Sequence, residues 1–441
     1  MRTDDRGRKV SRENGRGRRR PRPDTASTKA PLRPSQMLAA YFIPALVFLV
    51  AGGFAAVLNA VAGSDWARWL SLHLLLLGGV SQLVLGAAQF FAAAFLATDP
   101  PRRTLILAQL TTWNAGVLLI AVGRPTDFTA AIPVGGLLIL VGLTLFVVGL
   151  LDMRKRSLQS NPWAVLWYGT AALSLAFGAL VGVRLAEGPS GDYASLLYAH
   201  LILNLVGWLG TAIVGTLHTF FPSLTGTRLA FPRLERLTFL AWVTGVALVA
   251  IGSAFGSALP AALGWLSLVL AAALLMVNLA TSLYRRTTRP GLPVRLVATA
   301  QPFLFVAVSI GFITTLSGGS SGPFEGAAAS LMSTLVLAGW IGLTVAGSLL
   351  HLLAMLARVR SGFAFAMPSP EPARDRLVTV AATLGVSALA ASVLVPSDVL
   401  VAAGRLLMLS AAVPVVIVLA RCAATVISPG LPRSADPEAI R

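Results

Sequence analysis

The sequence predicts an all-α polytopic membrane protein of about twelve transmembrane helices, built as three parallel four-helix repeats. Three observations predict it: an apolar composition too rich for a soluble core, a lopsided split of basic residues between alternate loops, and a glycine motif that returns every four hydrophobic runs. The chain has 441 residues, 56% of them hydrophobic and 12% charged, with a mean hydropathy of +0.78. A soluble domain of this length lacks the interior volume to hide that much apolar surface.

Residues 1–36 hold twelve Lys/Arg against four acids and are rich in Gly and Pro. Such a segment cannot bury a core and is expected to be disordered. Its stretch "RGRKVSRENGRGRRRPRP" suits anionic lipid head groups and the setting of orientation, so no nucleic-acid partner is expected. "RRRPRP" lacks the context of a twin-arginine export signal, and no small-residue cleavage site follows the first apolar run, which therefore reads as a retained helix. Crossing the hydrocarbon takes roughly 20 mostly apolar residues. Runs of that kind lie at 37–61, 70–96, 105–123, 128–151, 163–184, 194–221, 237–256, 260–284, 294–316, 329–356, 377–395 and 399–420. A membrane domain is thus expected over 37–426, with repeats near 37–160, 161–292 and 293–426, followed by a tail at 427–441. The single cysteine, Cys422, excludes an intrachain disulfide framework and any cysteine-based zinc or iron–sulfur site.

Charge tests the span count. With the N-terminus in the cytoplasm, the cytoplasmic loops and the two terminal segments carry 31 of the 35 Lys/Arg. The opposite loops carry three, Arg68, Arg124 and Arg184, and Arg405 falls inside the last run. This is the positive-inside pattern, and a missed or surplus span would scramble it. Both termini are expected on the cytoplasmic side.

Span two contains "GGVSQLVLG" from Gly78, span six "GWLGTAIVG" from Gly207, and span ten "GWIGLTVAG" from Gly339. The offsets are 129 and 132 residues, four spans each time. Small residues mark close helix packing in any membrane protein, but a shared register at a near-constant period points to a repeat. An even number of spans preserves orientation, so the copies run parallel about an axis normal to the membrane.

Ionisable groups inside a bilayer are costly and are functional candidates by default. An outer layer holds His73 in span two, His200 in span six, Met332 in span ten and Arg405 in span twelve. Imidazole is the commonest side-chain ligand of metals and haem iron, Met thioether is a usual second axial ligand, and guanidinium pairs with carboxylates such as haem propionates. The plainer reading of each is an interfacial residue with a hydrogen-bond partner; Asn204 lies one turn from His200, and Arg405 is long enough to snorkel. An inner layer holds Gln89, His218 and His351 at similar depth on spans two, six and ten, as candidates for an inner vestibule or as interfacial residues beside the basic loops. No zinc-protease, phosphate-loop or serine-triad motif is present.

"HLLLLGGVSQLVLG" from His73 and "AHLILNLVGWLGTAIVGTLHTFFPSLTGTRL" from Ala199 resemble the haem–copper oxidase subunit I and nitric-oxide reductase superfamily. The closer likeness is to its divergent twelve-span bacterial relatives, including membrane domains found near copper nitrite reductases and other copper oxidases. The resemblance covers nearly the whole chain in span count, and spans two, six and ten in sequence. It implies twelve helices in three arcs in a bacterial plasma membrane, with His73 at the place of an axial haem ligand and His200 in the region of a copper ligand. The relatives' span six tends to read H-x-H-L-N; here His200, Leu203 and Asn204 match, and Ile202 replaces the middle histidine. The oxidases' span-seven histidine pair and span-ten haem histidines have no counterpart in "LTFLAWVTGVALVAIG" or "ASLMSTLVLAGWIG".

The resemblance and its gaps together imply either a haem-binding or redox protein, related to copper or nitrogen-oxide chemistry, or equally a scaffold that has lost its cofactors; an oxidase-type copper site and oxygen reduction are not expected. The expected partners are the lipid bilayer and a redox or copper protein. A small-molecule or metal-ion permease, and a non-catalytic partner subunit or assembly factor, are the alternatives.

Overall fold

The computed structural model describes residues 32–63, 65–159, 162–189, 191–366 and 371–427. Most of the basic arm and the tail beyond Ile427 lie outside the described residues, as does any structural test of their expected roles. Twelve helices are long and apolar enough to cross a membrane: α1 Pro34–Ala62, α2 Trp66–Phe95, α3 Arg103–Gly123, α4 Ala131–Arg156, α5 Trp163–Leu185, α6 Tyr193–Thr225, α7 Leu234–Ala254, α8 Ala258–Tyr284, α9 Leu292–Phe324, α10 Gly326–Arg360, α11 Pro372–Leu394 and α12 Asp398–Val426. No strand occurs among the described residues. The chain is a membrane protein in contact with lipid along the outer faces of these helices.

Every expected span is present, and several run longer than the apolar run alone. α6 extends to Thr225, where Gly226 takes the left-handed conformation (φ 67°) and caps it. α9 continues past its apolar run through a 3₁₀ turn, Gly319–Phe324. Helical hydrogen bonding does not stop where hydrocarbon does, so caps rather than hydropathy set these ends.

Sequential helices pack as neighbours, α3 on α4, α7 on α8 and α11 on α12. The central helices are α2, α6 and α10: 67%, 61% and 61% of their membrane windows are buried, against 50% or less for the other nine. These are the three helices that carry the glycine motif. Without a hydrophobic force between helices in lipid, close backbone approach is what holds them. A Cβ at Gly78, Gly207 or Gly339 would sit 2.7 Å from Phe48, Ser174 or Phe303 of the preceding helix. One at Gly86 would sit 2.6 Å from Tyr41, one at Gly215 would strike Trp167, and one at Gly347 would come within 2.9 Å of Val297. Each central helix therefore seats on the first helix of its own repeat through two glycines about two turns apart.

A second feature repeats with them. α2, α6 and α10 each leave the α-helical pattern for a π-helical stretch, His73–Val80, Ile202–Gly210 and Thr334–Gly342. These stretches begin at offsets of 129 and 132 residues, the same offsets as the glycine motifs. A π stretch carries one extra residue per turn and is uncommon outside functional or strained sites. Three of them in one register make the four-helix periodicity a property of the backbone as well as of the sequence.

Candidate functional site

Nearest the low-charge ends of the helices, His73 opens the π stretch of α2. Its Nδ1 lies 2.8 Å from the Trp69 carbonyl oxygen, and its ring stacks on the Trp69 indole with centroids 4.0 Å apart. A carbonyl only accepts, so Nδ1 carries the proton and donates it, leaving Nε2 with its lone pair.

His200 lies two residues before the π stretch of α6 and is held differently. Its Nδ1 is 2.9 Å from the Gly178 carbonyl oxygen of α5. A Cβ at Gly182 would lie 2.9 Å from its Cε1, and one at Gly178 would lie 2.6 Å from Asn204 Nδ2. The two glycines, one turn apart on α5, thus form a groove for His200 and Asn204. Asn204 in turn donates through Nδ2 to the His200 carbonyl at 2.6 Å. The expected shared face of His200 and Asn204 is present, and that face is turned to α5. The repeat offset aligns His200 with Met332, which is buried in α10, and with Ser71 rather than with His73. Arg405 is exposed on α12.

Deeper in the bundle, aromatic side chains close the junction of α6, α7 and α10. Trp242 of α7 donates to Thr211 Oγ1 of α6 at 3.0 Å and lies 5.9 Å from the Trp340 ring of α10. Trp208 of α6 donates to Ser81 Oγ of α2 at 2.8 Å. Trp340 donates to Gln301 Oε1 of α9 at 3.3 Å. Trp208, Trp242 and Trp340 are all fully buried. Trp208 and Trp340 are visible in the sequence as the tryptophans shared by two motifs, but their polar partners are not.

Nearest the basic loops, the inner-layer candidates divide. Gln89 and His218 occupy the same register and are buried, but each turns to the first helix of its own repeat. Gln89 donates to Tyr41 OH at 2.8 Å, and Tyr41 donates to Gln109 Oε1 at 2.7 Å. His218 donates through Nδ1 to the Val214 carbonyl at 2.8 Å and stacks on Trp167 at 5.7 Å. Trp167 donates to the buried Glu235 of α7 at 3.2 Å. His351 sits one residue beyond that register and meets the Phe220 ring edge-on at 5.6 Å. Sequence reading missed Tyr41, Gln109 and Glu235; Tyr41 and Trp167 lie beneath the last motif glycines Gly86 and Gly215, but at a spacing of 126 residues rather than 129, so the motif register did not point to them. Among the described residues, no group of three or more His, Cys, Asp and Glu is placed to hold a metal ion.

No family model matches the sequence, and no curated protein matches it. Among solved structures, the chain is similar to a cryo-EM structure of a heme-copper terminal oxidase dimer, with a TM-score of 0.69 over 92% of this chain and 86% of that one. The fold is similar to that of haem–copper oxidase subunit I. Sequence identity to that oxidase is 14%, so the likeness is one of architecture. On this oxidase-like scaffold, α2, α6 and α10 are the helices where the chemistry-bearing candidates gather.

Proposed function

We propose that this chain is a haem-binding, redox-type membrane protein on an oxidase-like scaffold that lacks the oxygen-reducing copper centre. The observation that carries the reading is His73. Its Nδ1 is anchored by the Trp69 carbonyl, so the ring is oriented and Nε2 is available, the support a ligating imidazole needs behind it. A haem there supplies one-electron chemistry. His73 would hold it through Nε2, with the Trp69 carbonyl fixing the tautomer and the Trp69 indole stacked on one face of the imidazole. Met332 and Arg405 would be the further candidates to hold it, on their depth in the sequence.

An oxidase-type copper does not fit the donor set. His200 is the lone histidine at its level in α6, its Nδ1 is committed to Gly178, and its ring is seated in the α5 groove. α7 carries no histidine, and its buried Trp242 faces Trp340 across the junction. The charge asymmetry supports a cytoplasmic basic loop face, and the resemblance supports a bacterial plasma membrane.

The test is the absorption spectrum of protein purified from haem-sufficient cells, followed by haemochrome analysis. A Soret band that is lost in His73→Ala and kept in His200→Ala supports the reading. Haem-free wild-type protein sinks it.

A second reading, a non-catalytic partner subunit or assembly factor, is favoured by the indole closure of the α6–α7–α10 junction. It calls for co-purification with a redox or copper complex in mild detergent. A proton-coupled permease draws less support. The buried acids among the described residues are Glu235, bonded to Trp167, and Asp375, which accepts from the Leu292 backbone N–H at 3.1 Å and pairs with Arg374.

A further inference from the structure

The basic loop face carries a built cleft that the redox reading does not use. It lies between the end of α6 and the segment after α8 and has a volume of about 560 Å³. Arg228, Arg285 and Arg286 line it together with the hydroxyl-bearing Ser223, Thr225 and Thr288. No acid is among its lining residues. Like charges gathered without an anion repel one another, and each guanidinium offers several donors in a planar fork that matches a phosphate.

The walls are held in place. Phe231 N–H donates to Asn278 Oδ1 at 2.9 Å, Asn278 Nδ2 returns a bond to the Phe231 carbonyl at 3.1 Å, and Ala230 N–H donates to Ser282 Oγ at 2.9 Å. The segment after α6 is thereby clamped to α8. Arg286 donates from Nε to Thr288 Oγ1 at 2.8 Å, which orients its guanidinium. Its Nη1 is buried and has no hydrogen-bond partner among the described residues. An unpaired buried donor of this kind costs free energy until an acceptor arrives. Desolvation also lowers the pKa of Arg286 from its ordinary value, as expected of a cation held without its counter-ion.

The cleft has an apolar neighbour. A groove of about 590 Å³ is lined by Ala230, Phe231, Pro232, Leu234 and Val277, with Arg233 at the same segment. Arg285 touches both: it lines the cleft, and its guanidinium stands 5.7 Å over the Phe231 ring. Both lie where α6 and α8 leave the hydrocarbon. A polar anion site that continues into an apolar groove at this depth has the two halves of an amphiphile.

We propose that this cleft and groove bind one anionic phospholipid, its phosphate among Arg228, Arg285 and Arg286 and the start of an acyl chain along Phe231, Leu234 and Val277. The site is independent of any cofactor at His73. Basic pockets between transmembrane helices on the loop-rich side are the expected places for such head groups.

The test uses the full chain in delipidated detergent solution, with phosphatidylglycerol, phosphatidylcholine or inorganic phosphate added and thermal unfolding followed; native mass spectrometry counts retained lipid. Phosphatidylglycerol should raise Tm in a saturable way, phosphatidylcholine and inorganic phosphate much less. Arg286→Gln, which removes the orphaned donor, should weaken the apparent Kd about tenfold. Arg228→Gln, at an exposed residue, should weaken it in the same direction and serves if Arg286→Gln does not fold. Equal stabilisation by phosphatidylcholine, an equal shift with inorganic phosphate alone, or unchanged phosphatidylglycerol binding in a folded variant overturns the proposal.

Discussion

His73 and His218 make the same bond, Nδ1 to the carbonyl four residues back, yet their surroundings separate them. His73 rests on one indole and keeps Nε2 available, whereas His218 is packed against Trp167 with a buried Nε2 that has no partner among the described residues. His200 shows a third use of the same residue, wedged into a two-glycine groove. That groove makes a specific expectation. Gly182→Val places a branched side chain where the His200 ring lies and should destabilise the folded protein by about 1–3 kcal/mol, the cost of overpacking; thermal unfolding in detergent reads it, and an unchanged Tm would show that His200 does not occupy the groove. Trp208→Phe keeps most of the ring but leaves Ser81 Oγ buried without its donor. The expected cost is about 1–3 kcal/mol, recovered in part by adding Ser81→Ala in a double-mutant cycle. Neither the His200–Gly178 nor the Trp208–Ser81 contact was legible in the sequence, because each joins residues on different helices, and single-sequence patterns report only neighbours along the chain.

The twelve helices themselves were legible, since hydropathy sums over some twenty residues and charge asymmetry checks the count independently. The glycine motif was legible too, and it turned out to mark the three central helices and their seating on Tyr41, Trp167 and Val297. The π stretches were not. The residues in "HLLLLGGV" and "ILNLVGWLG" would suit an ordinary α-helix equally well, so the extra residue per turn shows only in the backbone. Its effect on function is geometric. An α-helix turns about 100° per residue, so each π stretch sets the angle between the residue at its start and the glycines after it. Inserting one alanine after Leu76 adds a residue between His73 and Gly78. His73 would then turn by about 100° relative to the Gly78–Gly86 seam. The expected outcome is a protein that still inserts and remains monodisperse but has lost the Soret band; retention of an unaltered spectrum would separate the π stretch from the site.

At the scale of the whole molecule, three repeats place three equivalent positions at each level, and the sequence has filled them unequally. His200 and Met332 share one register with Ser71, while His73 shares another with Ile202 and Thr334. The scaffold is thus symmetric in backbone and asymmetric in chemistry. The 31 basic residues expected on one side make the proposed orientation testable. Reporter fusions after Arg289 should read as cytoplasmic and fusions after Gly188 as external; the reverse pattern would invert the membrane assignment. The most direct measurement is the haem and copper content per chain of the purified protein. About one haem and no stoichiometric copper is expected for wild type, with the haem lost and the fold retained in His73→Ala. Haem-free wild-type protein, or a full copper equivalent that disappears in His200→Ala, would contradict it.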